Sequence, residues 1–150
     1  MGLCLSILFI LLYKGRYSGL GTNIIEYSFN NGNILYYDWL LKFILTIFTL
    51  AAGFQGGEVT PLFAIGASLG VVLAKVFNLP IELVAALGYA GVFGSATNTL
   101  FAPIFIGAEV FGYNYLPYFF IVSVVAYTFN MNKSIYSLQK VSEYKSKSKN

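Results

Sequence analysis

A Gly-rich segment, Gly53-Phe54-Gln55-Gly56-Gly57-Glu58-Val59-Thr60-Pro61, interrupts an otherwise apolar sequence. Its three glycines permit backbone conformations that other residues avoid, and the fixed φ of Pro61 suits the first turn of a helix. The first N–H groups of a helix have no intrahelical acceptor, and they carry about half a positive charge. The pattern therefore predicts a helix start that attracts an anion, most strongly where water does not screen the charge.

A second interpretation of this stretch is a Gly-rich loop that only joins two packed helices. Two side chains favour the anion site over that loop. Glu58 places an ionisable group in an apolar region, where charge is costly and usually functional. Thr60 adds a hydroxyl donor at the same helix start. The glycines alone would not separate the two interpretations.

The composition excludes an ordinary water-soluble domain. The 150 residues are 57% hydrophobic and 10% charged, and the mean hydropathy is +0.71. Between Lys42 and Lys133 the formal charges are Glu58, Lys75, Glu82 and Glu109. The chain is therefore predicted to be an integral membrane protein, and its excess of cations is a topology signal and not a nucleic-acid footprint.

The residue types that are missing limit the chemistry of the chain. There is no His and only one Cys, Cys4, so imidazole metal sites, Ser/His/Asp triads and Cys/His dyads are excluded within it. We expect no metal, no cofactor and no enzymatic activity. A membrane enzyme would need a lipid-substrate pocket beside Glu58 and Glu109. A purely structural membrane subunit would need the Glu58 loop packed shut, with its N–H groups bonded internally.

The apolar segments are short and repeatedly interrupted by Gly, Pro or Asn. None reaches the roughly 20 residues that a spanning helix needs. Short helices at membrane depth indicate half-helices, whose exposed backbone is tolerated where it is buried in protein or lines an ion site. The predicted segments are a truncated helix at Leu3–Tyr13, a short surface helix around Ile24–Phe29, and helices at Trp39–Ala52, Pro61–Phe77, Pro80–Ala96, Pro103–Phe111, Pro117–Phe129 and Ser134–Tyr144.

The cations predict the orientation in the membrane. Lysines concentrate after Lys133, which predicts a cytoplasmic C-terminus, and Lys14 and Arg16 place the first loop on the same side. Residues 1–139 are interpreted as a membrane domain and residues 140–150 as a basic cytoplasmic tail. Three charged residues lie near predicted segment ends and are expected at the membrane interface: Lys42, Lys75 and Glu82.

The stretch Gly56–Gly70 resembles the anion-binding helix start in the second half of the CLC family of chloride channels and transporters. Tyr17–Phe29 is similar to a linker of that family, Ala102–Glu109 to its short Pro-started helix, and Ser134-Ile135-Tyr136 to the start of its last membrane helix. The resemblance implies an all-α integral membrane protein, the C-terminal part of a CLC-type inverted-repeat transporter with short, broken membrane helices. It also implies a homodimer of full-length subunits.

The loop departs from the common chloride-handling pattern of the family, Gly-x-Phe-x-Pro, because Val59 stands where Phe is usual. The Gly-Gly-Glu-Val-Thr-Pro version resembles the bacterial branch that exchanges fluoride for protons. The resemblance therefore implies fluoride export coupled to proton import across a cell (inner) membrane. The alternative is a chloride channel or chloride/proton antiporter of the same family.

Residue roles follow from the matching positions. The resemblance implies that Gly57, Glu58, Val59, Thr60 and Tyr136 form the anion site, through the amides of Glu58 and Val59 and the hydroxyls of Thr60 and Tyr136. Glu58 is the candidate for the coupled proton. Its competing role is a structural hydrogen-bond acceptor that ties the loop together. Tyr136 has a competing role as well, as an interfacial or packing tyrosine.

Further residues are expected to be structural. The family places the Pro-started helix at the subunit contact, so Glu109 is predicted to be buried and bonded to backbone. Asn98 and Thr99 are expected to satisfy the broken backbone where a helix ends. The Gly-x-Glu-Gly-Pro setting of the family's gating glutamate does not occur in this sequence. We therefore expect the chain to be the C-terminal part of a longer or split subunit that does not transport alone.

Overall fold

Every regular element is helical in the computed structural model, which describes residues 16–30, 33–53, 57–131 and 133–136. A 3₁₀ turn at Tyr113–Tyr115 joins the last two helices. The predicted segment Leu3–Tyr13, most of Ser134–Tyr144 and the tail from residue 140 lie outside the described residues. The helices are α1 (Thr22–Phe29), α2 (Asp38–Ala51), α3 (Val59–Phe77), α4 (Ile81–Thr97), α5 (Phe101–Phe111) and α6 (Leu116–Phe129).

Helices α3 and α4 form a hairpin whose backbones touch. A Cβ atom on Gly66 would overlap the Gly88 carbonyl, and one on Gly70 would overlap the Val84 carbonyl. Small residues four apart on one helix face permit this close approach.

The hairpin turn and the end of α4 both use asparagine in the left-handed conformation. Asn78 closes α3 with φ 53°, and Asn98 closes α4 with φ 52°. The expectation that Asn98 and Thr99 satisfy the broken backbone holds for their N–H groups. These donate to the Ser95 carbonyl at 3.4 Å and the Gly94 carbonyl at 3.1 Å, respectively. The side chain of Asn98 accepts a hydrogen bond from Asn130 Nδ2 at 3.2 Å, so it ties α4 to the residue after α6 and does not cap its own backbone. The Thr99 hydroxyl pairs with the Thr97 hydroxyl at 2.8 Å.

Helix α3 reaches a length that the sequence analysis did not predict. Helix α3 has 19 residues and is long and apolar enough to cross a bilayer, whereas α4 and α5 are apolar but shorter. The prediction that no segment reaches spanning length is therefore wrong for α3. The reason is that the helix begins at Val59, two residues before Pro61. Proline is tolerated in a first turn because its missing N–H would have no acceptor there.

Large apolar side chains cover much of the outer surface. On α2, Phe43, Ile44, Ile47 and Phe48 are all exposed. A soluble monomer rarely exposes a continuous apolar face of this kind. The face suits contact with lipid or with other protein segments, in agreement with the composition.

Candidate functional site

The start of α3 is open, as the Gly-rich stretch predicted. Glu58 occupies the N-cap position, and no side chain of the described residues caps the helix. The Leu62 N–H reaches the Glu58 carbonyl at 3.4 Å, and the N–H groups before it have no intrahelical acceptor. Residues 54–56 of the loop lie outside the described residues. The amides of Glu58 and Val59 are thus placed as donors at a helix start.

The side chains of Glu58 and Thr60 are half-buried beside these amides. Neither side chain makes a hydrogen bond to any residue that the structure describes. The described residues therefore give no support to Glu58 as a structural acceptor. The Glu58 carboxylate and the Thr60 hydroxyl therefore lie at the start of α3 without a partner among the described residues.

The linker before α1 packs against the loop. A Cβ atom on Gly57 would lie 3.4 Å from the Leu20 Cδ2, which is ordinary van der Waals contact. Gly57 itself is exposed. The residues around Leu20 therefore form one wall of the helix start, a neighbour that the sequence did not identify.

Tyr136 lies in a segment that folds back onto the end of α4. The Ile135 N–H donates to the Ala96 carbonyl at 2.9 Å, and the Ser134 hydroxyl donates to the Thr97 carbonyl at 3.3 Å. The Tyr136 side chain is 43% exposed, so it is not a buried packing residue of the described chain. These bonds fix where its backbone lies. Residues 134–136 are not helical, so the prediction that a helix begins at Ser134 is wrong.

A cavity of about 530 Å³ connects these parts of the chain. Leu62, Ile65 and Leu69 of α3 line one side, and Ile135 lines the other. Leu62 of the first turn of α3 and Ile135, the residue before Tyr136, therefore border the same space, but none of the five residues predicted to form the anion site lines it. The polar groups in the lining are Ser95, Asn130, Lys133 and Ser134.

A buried charged cluster, which the sequence analysis missed, lies at the start of α2. Asp38 is fully buried and accepts bonds from Arg16 at 2.6 Å, from the Tyr17 hydroxyl and from the Leu35 N–H at 2.9 Å. Burial and the neighbouring Asp38 carboxylate raise the pKa of Tyr17, so its hydroxyl stays protonated and donates. The Arg16–Asp38 ion pair joins the segment before α1 to the start of α2.

Lys42 lies one helical turn after Asp38, and its placement contradicts the sequence analysis. Its side chain is 3% exposed, and its ammonium donates to the carbonyls of Tyr17 at 3.1 Å and Gly19 at 2.7 Å. The prediction that Lys42 is interfacial is wrong. Gly21 leaves room for it, since a Cβ atom there would lie 2.8 Å from the Lys42 Cε.

The remaining isolated charges lie on the surface. Lys75 and Glu82 are exposed, in keeping with their predicted positions near helix ends. Glu109 is also exposed in the single chain, and its burial at a subunit contact stays a prediction. Val110, the next residue, is 56% exposed, whereas Ala108 before Glu109 is fully buried, so α5 has one face in the packing and one face outward.

Comparisons with known proteins agree with the resemblance. A family model described as "Voltage gated chloride channel" matches residues 1–131. A chloride/fluoride channel protein of Pseudomonas syringae pv. tomato is 40% identical over 130 residues, which are 87% of this chain and 28% of that protein. The crystal structure of a CLC-type fluoride/proton antiporter superposes with a TM-score of 0.88 at 70% identity, over 92% of this chain and 35% of that one. The chain thus spans about a third of the length of these relatives.

Proposed function

Because the chain belongs to the voltage gated chloride channel family, we propose that it is the C-terminal, anion-binding part of a membrane transporter that exports fluoride in exchange for protons. Members of this family are integral membrane proteins that move ions, and we propose transport and not enzymatic catalysis for this chain. The single observation that carries the proposal is the uncapped start of α3 beside the cavity.

The proposed anion site consists of Gly57, the amides of Glu58 and Val59, and the hydroxyls of Thr60 and Tyr136. An ion that leaves water loses its hydration shell, so the site must replace it with several short donors. Backbone amides at a helix start supply such donors together with the partial positive charge of the helix. The Thr60 hydroxyl makes no hydrogen bond within the described residues, and the cavity lined by Leu62 and Ile135 lies next to the two parts of the chain that carry Thr60 and Tyr136.

Fluoride is the proposed ion. Val59 replaces the phenylalanine of the common chloride pattern, and fluoride, being small and strongly hydrated, benefits most from short hydrogen-bond donors. The solved relative at 70% identity carries the description fluoride/proton antiporter. The Pseudomonas relative is named for both chloride and fluoride, so chloride is the competing ion in the test below.

Glu58 is the proposed carrier of the coupled proton. Its carboxylate lies at the helix start and has no hydrogen bond within the described residues. A group with no structural partner is free to take up and release a proton as the anion arrives and leaves. Anion binding and proton uptake then take place at the same helical turn, which couples the two processes directly.

The proposed setting is the inner membrane, with several membrane passages, a cytoplasmic C-terminus and a homodimer of complete subunits. The lysines from Lys133 onward support the orientation. Exposed Phe101, Phe105 and Val110 on α5 offer an apolar surface for a second copy. We use the term complete subunit for the longer polypeptide that, on this proposal, contains the chain and supplies the other half of the pore.

Halide efflux from liposomes tests the choice of ion. The complete subunit is expected to release fluoride at least about tenfold faster than chloride under an imposed proton gradient, because only fluoride matches a site of short donors. Fluoride- and chloride-selective electrodes measure the two rates, and protein-free liposomes provide the baseline. Equal rates for the two halides would contradict the fluoride assignment, and no flux of either would contradict transport.

The substitution Tyr136→Phe tests whether the Tyr136 hydroxyl donates to the anion. Removing one hydroxyl from the site is expected to weaken fluoride binding by about tenfold, the usual effect of a lost hydrogen bond to a charged group. The matched control is Tyr127→Phe, since Tyr127 is also partly exposed but lies on α6. Fluoride affinity is measured by calorimetry on the purified complete subunit. Equal affinities of the two variants would remove Tyr136 from the site.

A further inference from the structure

We propose that Lys42 is a positioning residue whose buried positive charge raises the affinity of the α3 start for its anion. The inference rests on the proposed function, because it assigns an additional residue to the same site. It comes from an unusual feature of the packing, a lysine that is 3% exposed and bonds only to backbone carbonyls in the part of the chain that the structure describes.

The charge of Lys42 is not neutralised by a nearby carboxylate. Within the described ranges, the ion pair is Arg16–Asp38 at 2.6 Å, and Lys42 takes no part in it. Asp38 already accepts from Arg16, Tyr17 and Leu35. The buried cluster therefore contains two cations and one anion, and it keeps a net positive charge at Lys42.

The ammonium group lies close to the helix that binds the anion. A Cβ atom on Gly21 would lie 2.9 Å from the Ala64 Cβ and 3.3 Å from the Lys42 Nζ. Ala64 is five residues beyond Val59, which is about 7.5 Å along a helix axis. Lys42 also bonds to Gly19, while Leu20, the next residue, packs against Gly57. The positive charge of Lys42 thus acts electrostatically on the anion site at the start of α3. Its bond to Gly19 also helps to hold Leu20 against Gly57.

A structural role alone would not require a charge. Any neutral donor would satisfy the carbonyls of Tyr17 and Gly19, and burying an ammonium group costs far more than burying an amide. A charge at about 10 Å with an effective dielectric constant near 20 changes the affinity for a halide by roughly tenfold. A buried charge is also screened little by salt. The buried lysine is therefore understandable if an anion is its long-range partner.

Fluoride binding by three Lys42 variants of the complete subunit tests the inference. Lys42→Met removes charge and hydrogen bonds, Lys42→Gln keeps donors without the charge, and Lys42→Arg keeps both. The Met and Gln variants are expected to bind fluoride roughly tenfold more weakly, and the Arg variant within about threefold of the unsubstituted protein. Titration calorimetry with sodium fluoride gives the affinities, and thermal unfolding gives the stability separately.

The matched control is Lys75→Met. Lys75 also donates to a backbone carbonyl, that of Ile34 at 3.2 Å, but it lies eleven residues beyond Ala64, about 16 Å further along α3. Its removal is expected to leave the fluoride affinity unchanged. An equal loss in both lysine variants would overturn the specific role of Lys42.

The outcomes separate the two proposals. If the unsubstituted subunit binds fluoride and Lys42→Gln binds it equally well, the role of the charge is refuted while the proposed function stands. If the unsubstituted subunit binds no halide, both proposals fail. If Lys42→Met does not fold, Gln and Arg decide the question, and equal affinities of those two variants would refute the inference.

Discussion

Glu58→Gln is expected to reduce proton-driven fluoride efflux by about 100-fold or more, because the amide cannot take up the coupled proton. The substitution keeps the size of the side chain and leaves the backbone amides at the start of α3 in place. Fluoride binding should therefore survive better than transport. The measurement is fluoride release from liposomes with and without a pH gradient, alongside calorimetric binding.

The control for Glu58 is Glu82→Gln, which removes a carboxylate of the same type from the exposed start of α4. This variant should transport at the unsubstituted rate. Coupled transport that persists in Glu58→Gln would assign the proton to another group. A loss of binding equal to the loss of transport would instead make Glu58 part of the anion site only.

Gly66→Ala is expected to destabilise the folded chain by about 3 kcal/mol, since overpacking a close contact forces the backbone to move. The added Cβ atom would overlap the Gly88 carbonyl, and a carbonyl cannot rotate away as a side chain can. The effect should appear as a lower unfolding temperature of the purified complete subunit in detergent. Halide flux should fall with the folded fraction.

The control for Gly66 is Gly91→Ala in α4. A Cβ atom there would lie 2.8 Å from the Val122 Cγ1, which belongs to a side chain and can shift. Its expected effect is below about 1 kcal/mol. Equal stabilities of the two variants would show that α3 and α4 are not held as closely as this hairpin requires.

The sequence predicted helices well where local signals are strong. Pro80 and Pro103 lie within one or two residues of the starts of α4 and α5, and Asn98 ends α4. These signals are local, because proline restricts its own φ and asparagine tolerates the left-handed conformation. The length of α3 was underestimated because Pro61 was taken as the first helical residue, although a proline fits anywhere in the first turn.

The candidate site was predictable only in part. The open start of α3 followed from the glycines and Pro61, whereas the identification of Tyr136 came from the family resemblance, since no local pattern distinguishes it among twelve tyrosines. The roles of these residues in binding remain predictions. The place of the Tyr136 segment against the end of α4 depends on a backbone bond from Ile135 to Ala96, which no sequence pattern specifies.

The amino-acid sequence was enough to predict an all-helical membrane chain with a helix that starts at Pro61, two residues after its true start at Val59. Apolar periodicity, glycine and proline act within a few residues, so they can be interpreted without knowing the fold. Only the tertiary structure decided that Lys42 is buried beside the linker, that Glu109 faces outward and that Gly66 touches Gly88. Whether a side chain is buried depends on which helix faces pack together. Such packing joins residues that are far apart in the sequence, so local sequence preferences do not predict it.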